Sequence, residues 1–214
     1  MRLIAEVKHR SPSGGTFLQD YRPEKLASIY QDSGAAAVSV LTEGPHFGGD
    51  FKHIRDVRSV VDLPILCKDF ITDPYHICQA AAAGADAVLL ISELLEVEEL
   101  ILLIETARTL RLAALVESHS SDSLERAVAS GAQIIGINNR DLSMSGMPTD
   151  IETTLRLRDR VPEDRILVTE SGIHGRKDVV RLEEAGIDAM LVGTSILKAE
   201  DPGEHIAMLL GMGS

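Results

Sequence analysis

The sequence predicts a closed (β/α)8 barrel of the TIM type, an α/β fold that fills residues 1–214 as a single domain. Three observations carry that prediction. Short apolar runs alternate strictly with amphipathic segments along the whole chain, and strict βα alternation implies a parallel sheet. Eight such units fit into 214 residues, the count that closes a barrel. The chain also repeats itself: "DSGAAAVSVL", "AAGADAVLLI", "ASGAQIIGIN" and "EAGIDAMLVG" share one design, with Gly34, Gly84, Gly131 and Gly186 recurring roughly every 50 residues, or every two βα units. An open doubly wound sheet would alternate too, but four similar quarters suit a ring better.

The elements follow in order. "RLIAEV" is the first strand. "RPEKLASIYQDSG" is a helix with Pro23 in its first turn and Leu26, Ile29 and Tyr30 on one face. "AAAVSVLT" is the second strand, "DFKHIRDVRSVV" a helix, and "LPILCKDF" the third strand. "DPYHICQAAAAGA" is a helix that Asp73 caps and Pro74 begins. "DAVLLIS", "LAALVES", "QIIGINN", "RILVTES" and "DAMLVGT" are the remaining strands. Between them lie the helices "EVEELILLIETARTLR", "SDSLERAVASG", "DIETTLRLRDRV" and "RKDVVRLEEAG", and "PGEHIAMLLG" closes the chain. Each repeat glycine ends a helix, where a left-handed residue is easiest for Gly.

Composition narrows the classes of partner. The chain is 44% hydrophobic but only 3% aromatic, without Trp, so Leu, Ile, Val and Ala must build its core. A formal net charge of −12 argues against binding nucleic acid or an anionic membrane, since no basic field attracts a phosphate polymer. It leaves room for a small phosphorylated ligand. Cys67 and Cys78 lie in apolar contexts and are expected to be buried free thiols, in keeping with a reducing cytoplasm. No signal peptide or long apolar run is seen. The seven His lack metal-ligand spacing, so no metal site is expected. A monomer or weak homo-oligomer is expected.

The functional signal lies at the strand ends, because such barrels place their sites at the carboxyl ends of the strands. The odd strands end in charge: Glu6 and Lys8, Lys68, Glu117, Glu170. The even strands end in small or neutral groups: Thr42, Ser92, Asn138, then Gly193 and Thr194. Two lysines and up to three glutamates therefore converge on one mouth. A structural ion-pair network could close a barrel, but buried charges are expensive and Val or Ile would serve better. Opposite charges brought together also shift proton affinities, as acid–base chemistry requires. "ESGI" and "VGTSI" put Gly172, Gly193 and Thr194 at the ends of strands seven and eight, where barrels bind phosphate through loop N–H groups. Gly lets the backbone approach closely. Phe47 and Phe70, among few aromatics, could line an apolar pocket. His9 and His119 read as solvated loop residues. Asp69 could cap a helix or pair with an Arg.

Taken together, "IAEVKHRSPS", "LPILCKDFITDPYHI", "GADAVLLI", "LVESH", "GINNRDL", "VTESGI" and "LVGTSIL" resemble the indole-3-glycerol phosphate synthase family, in order and across every strand. The resemblance implies a cofactor-free carboxy-lyase of tryptophan biosynthesis, acting on a phosphorylated small molecule. It implies that Lys68 is the general acid of ring closure and Glu117 the base of dehydration. Lys8 would bind phosphate or carboxylate and act as the second acid, Glu6 would orient Lys8, and Asn138 would hold the reacting portion beside Arg140. Ser11, Glu170, Ser171, Gly172, Gly193 and Thr194 would contact the sugar phosphate. Phe47, Phe70 and Leu142 would line the anthranilate pocket. The sequence also departs from the family pattern. Only Met1 and Arg2 precede strand residues that the family approaches through a longer arm, so Lys8 is expected to be more open to water than its family counterparts. Asp50 stands where a small Ser is usual, "VESH" replaces "VEVH", and "SMSGMPTD" lengthens a loop; these near-mouth changes are expected to bear on specificity. Two other readings remain: an isomerase on a related phosphosugar, although Lys8 stands where its Cys would sit, and a lid-less remnant of weak or no activity.

Overall fold

A computed structural model describes residues 1–12, 14–140 and 149–212. Eight parallel strands close into a barrel: β1 (Arg2–Val7), β2 (Ala37–Leu41), β3 (Ile65–Lys68), β4 (Ala87–Ile91), β5 (Ala113–Ser118), β6 (Ile134–Asn138), β7 (Ile166–Glu170) and β8 (Ala189–Val192). Each strand pairs with its sequence neighbours, and β1 closes the ring between β2 and β8, with Ile4 opposite Ala37 on one side and Leu191 on the other. The outer helices are α1 (Pro23–Asp32), α2 (Phe51–Arg58), α3 (Pro74–Ala83), α4 (Val97–Thr109), α5 (Ser121–Ala129), α6 (Glu152–Leu157), α7 (Arg176–Glu184) and α8 (Pro202–Leu210). The (β/α)8 prediction therefore holds element by element.

Local chemistry explains the boundaries. Pro23, Pro74 and Pro202 open α1, α3 and α8, where a missing N–H is harmless. The Asp73 carboxylate accepts the Tyr75 N–H, and Asp201 accepts those of Gly203 and Glu204. All four repeat glycines have positive φ, from +76° at Gly186 to +99° at Gly84, a backbone state that side chains disfavour.

Alternation along the strands sorts the residues. Leu3, Ala5 and Val7 of β1, Ile65 and Cys67 of β3, and Val116 of β5 face outward into the main core shared with the helices. Facing inward, Leu66, Leu89, Ile91, Leu115, Val168, Ala189 and Leu191 form a second cluster inside the barrel, with Ile4 against it. Among the described residues, no helix is long and apolar enough to cross a membrane.

Three short elements escaped the sequence reading. A hairpin pairs Arg10–Ser11 with Gly15–Thr16 directly after β1. A turn of helix, Gly44–Phe47, follows β2, and another, Thr194–Lys198, follows β8. Segments this short show no periodicity, and side chains define them instead: Glu43 accepts the N–H groups of His46 and Phe47. One expectation is overturned. Cys67 is buried, but Cys78 is exposed, because it lies one step around α3 from the buried Ile77 and so turns toward solvent.

Candidate active site

Four inward side chains, one from each odd-numbered strand, form a layer at the carboxyl end of the barrel: Glu6, Lys68, Glu117 and Glu170. Two residues earlier on each strand, on the same face, stand Ile4, Leu66, Leu115 and Val168. The charged layer thus sits directly on an apolar one. Lys8 follows β1 and adds a fifth charge.

Four of the five groups are joined directly, and Glu117 is held by Asn138. Lys68 Nζ lies 3.1 Å from Glu170 Oε2 and 3.2 Å from Glu6 Oε2. Lys8 Nζ lies 2.5 Å from Glu6 Oε1 and donates to Thr194 Oγ1 at 3.1 Å. Asn138 Nδ2 donates to Glu117 Oε1 at 3.1 Å, while its Oδ1 accepts the Arg140 N–H. Glu6, Lys8, Glu117 and Glu170 are all buried, Glu170 to 1% exposure.

Such burial perturbs proton affinities. Burial by itself would raise the Glu6 carboxyl, but Lys8 and Lys68 outweigh it and hold Glu6 down at about 2. Burial likewise opposes the Lys68 charge, and Glu170, Glu6 and Glu117 overcome it, holding the ammonium well above the usual lysine range. Glu170 goes the other way. Its burial, reinforced by Glu117, exceeds the pull of Lys68 and lifts it to about 8.

Two adjoining cavities open over this layer, of about 320 and about 350 Å³. Glu6, Lys8, Ser11, Lys68, Arg140, Ser171 and Thr194 border both. The first is walled by Leu41, Leu89, Ile91, Phe47 and Phe70, with Glu117 and Asn138 at its base. The two Phe rings lie 6.3 Å apart, tilted by 53°, and Phe70 is 45% exposed. The second cavity is walled by Gly172, Gly193 and Thr194 with Ser195 and Lys198. Ser171 and Gly172 both have positive φ, +66° and +74°, and a Cβ on Gly172 would press on Thr149. The structure therefore gathers every expected site residue at the mouth except Leu142, which lies outside the described residues.

Several expectations change in detail. Gly193 has ordinary negative φ, and the space a Cβ would need is taken by the Glu6 carboxylate. Its smallness thus serves the charged layer as well as any ligand. Lys8 is 7% exposed, with the Phe17 ring 5.4 Å from its Nζ. Asp50 caps α2 by accepting the Lys52 N–H, a structural use of the departure from Ser. Asp69 accepts from Thr42 Oγ1 and the Phe70 N–H, fixing the turn that carries Phe70. His9 and His119 are half-buried rather than solvated: His9 stacks on Tyr21, and His119 Nδ1 meets Glu93 at 2.7 Å.

Sequence reading also missed residues. Gly136, inside β6, is where a Cβ would lie 2.5 Å from Glu170 Oε1; a glycine within a strand is the available signal of such an approach. Asn139, 2% exposed, donates to Thr169 Oγ1 and the Ser171 carbonyl and accepts from Thr154, so it holds the turn after β7. Phe17 had a signal too, as one of four Phe in the chain. Among the described residues no group of three or more His, Cys, Asp or Glu is placed to hold a metal ion.

An acid–base cluster of lysines and glutamates at the carboxyl mouth of a (β/α)8 barrel defines a barrel enzyme that moves protons. A model of the family described as indole-3-glycerol phosphate synthase matches residues 1–209. The indole-3-glycerol phosphate synthase of Rhodopirellula baltica is 48% identical over 94% of this chain and 77% of its own length. That of Carboxydothermus hydrogenoformans is 46% identical over 97% of this chain and 78% of its own. The chain belongs to the indole-3-glycerol phosphate synthase family. Among solved structures, 3-hexulose-6-phosphate synthase from Salmonella typhimurium superposes with a TM-score of 0.78 at 16% identity, over 98% of this chain and 96% of that one, a likeness of fold.

Proposed function

We propose that this mouth converts 1-(2-carboxyphenylamino)-1-deoxyribulose 5-phosphate into indole-3-glycerol phosphate, carbon dioxide and water, in the cytoplasm. The observation that carries the reading is Lys68, charged and held between Glu6 and Glu170 at the base of a cavity with an aromatic wall on one side and a glycine-bounded wall on the other. Family membership supports the reaction, and the geometry supports the following residue roles.

The anthranilate ring lies against Phe47 and Phe70, with Leu142 assigned to the same wall by resemblance. The phosphate lies against Ser11, Ser171, Gly172, Gly193 and Thr194, where backbone N–H groups and the Lys8 charge favour an anion. Lys68 donates a proton to the carbonyl oxygen as the ring carbon bonds to the carbonyl carbon. Carbon dioxide leaves, and the electrons of the broken bond restore the aromatic ring. Lys8, held by Glu6, protonates the departing hydroxyl. Glu117, aligned by Asn138, removes the last proton, and Arg140 faces the substrate carboxylate.

The test is direct. Protein mixed with the carboxyphenylamino-deoxyribulose phosphate should produce indole fluorescence, and Lys68→Ala should slow its appearance by about 10²–10⁴-fold. A folded native protein that produces none would refute the reading.

A further inference from the structure

The charged layer does not balance. Glu6, Glu117 and Glu170 are buried; Lys8 pairs with Glu6, and Lys68 pairs with Glu6 and Glu170. Fully ionised, the five carry one excess negative charge, and a buried unpaired carboxylate takes up a proton instead. Arg140, half-buried, borders both cavities beside them.

Hydrogen bonding says where that proton sits. Glu170 Oε2 faces Lys68, and Glu117 Oε1 accepts from Asn138. The other oxygen of each, Glu170 Oε1 and Glu117 Oε2, is buried with no donor. The two side chains flank the same small space: a Cβ on Gly136 would lie 2.5 Å from Glu170 Oε1 and 3.6 Å from Glu117 Cα. A proton between them supplies the missing donor and removes the excess charge together. Strand β6 runs between β5 and β7, with Gly136 opposite Glu117. A Cβ there would lie 2.5 Å from Glu170 Oε1, so glycine is what lets Glu170 take its place.

We propose that Glu117 and Glu170 share one acidic proton across Gly136 in the resting protein, and that this proton, passed through Lys68, is spent in ring closure and replaced by the one abstracted in dehydration. The inference rests on the proposed function and assigns Glu170 a task beyond contact with the sugar. Lys68 gives its proton to the carbonyl oxygen, and Glu170 returns one to Lys68, leaving the acid pair fully ionised. Carbon dioxide departs. Lys8 protonates the hydroxyl, which leaves as water, and Glu117 takes the ring CH2 proton, refilling the pair. Lys8 regains its proton from solvent. Two protons are donated and one recovered, matching the single proton that loss of carbon dioxide from a carboxylate requires. Since Glu170 is lifted to about 8, the pair is loaded at neutral pH and empties above that value.

The test is an infrared titration of the unliganded protein, read at the protonated-carboxyl C=O stretch. The native protein should show one such band that titrates near about 8. The band should vanish in Glu170→Gln and titrate at lower pH in Glu117→Gln, where the neighbouring charge is gone. Gly136→Ala should also displace it, and the two Gln variants keep the test intact if that protein fails to fold. In turnover, Glu170→Gln should lower kcat by at least about tenfold with KM within about threefold, and kcat should no longer decline above about pH 8. A native protein without the band, or a band that both Gln variants leave unmoved, would overturn the shared proton. A native protein with the band but no turnover would overturn the proposed function and the use of the proton with it, leaving the pair itself.

Discussion

Two layers of the barrel interior lie one pleat apart on the same four strands, and their chemistry is opposite. The lower layer is Ile4, Leu66, Leu115 and Val168; the upper is Glu6, Lys68, Glu117 and Glu170. Both are largely out of water, so exposure does not distinguish them. The lower layer gains from burial at roughly 25 cal/mol per Å² of apolar surface. The upper one opposes folding wherever its charges are not fully paired. A barrel selected only for stability would continue the lower layer upward. This contrast teaches that the upper layer's worth is chemical, and that stability and activity should separate between residues only two positions apart.

The largest expected effect is on turnover from the upper layer. Lys68→Ala should lower kcat by about 10²–10⁴-fold, the usual range for loss of a positioned proton donor, in steady-state indole fluorescence. The next is on stability from the lower layer. Leu115→Ala should lower unfolding free energy by about 2–5 kcal/mol, read as a shift in the urea midpoint.

A pH titration of stability sharpens the contrast further, because only the upper layer titrates. Glu6 is held at about 2, below its ordinary value near 4.5. Its contribution is complete above the unfolded value and fades as pH falls toward 2. Glu170 is lifted from 4.5 to about 8, so the folded state binds its proton more tightly than the unfolded state does. Its contribution is complete below about 4.5 and is lost as pH rises toward 8. Urea midpoints should therefore fall on both sides of an optimum, and Glu170→Gln should flatten the alkaline side alone.

The smallest effects come from residues beside both layers. Phe17→Ala should weaken substrate binding by about fivefold, as expected from a partly buried cation–π contact of about 1 kcal/mol. Asp50→Ala should cost about 1 kcal/mol of stability by removing the α2 cap, with kcat unchanged. A large loss of kcat in Asp50→Ala would return that residue to the specificity role its sequence position suggested.

The sequence was readable where a period or a repeat recorded the physics. Strand alternation placed Glu6 and Lys8 on one face, the four glycine-ended quarters announced the ring, and the odd-strand charges named the upper layer. What stayed hidden was contact across the barrel. Nothing local in "QIIGINN" says that Gly136 makes room for a carboxylate on the next strand, or in "LVGT" that Gly193 makes room for one on the first. Cys78 was misread because an apolar neighbourhood in sequence is not a face on a helix. The contact of Phe17 with Lys8 was hidden because the short hairpin between them has no pattern that ties a ring to its cation.

The most direct test of the division between layers is a crossed measurement on one strand. Leu115→Ala and Glu117→Gln are to be compared for both kcat and urea midpoint at neutral pH. Leu115→Ala should lose about 2–5 kcal/mol of stability and keep kcat within about threefold. Glu117→Gln should lose at least about 10²-fold in kcat and keep a midpoint close to that of the native protein. Two variants that lose stability and turnover in the same proportion would contradict the account, for the charged layer would then be part of the barrel's packing and not its chemistry.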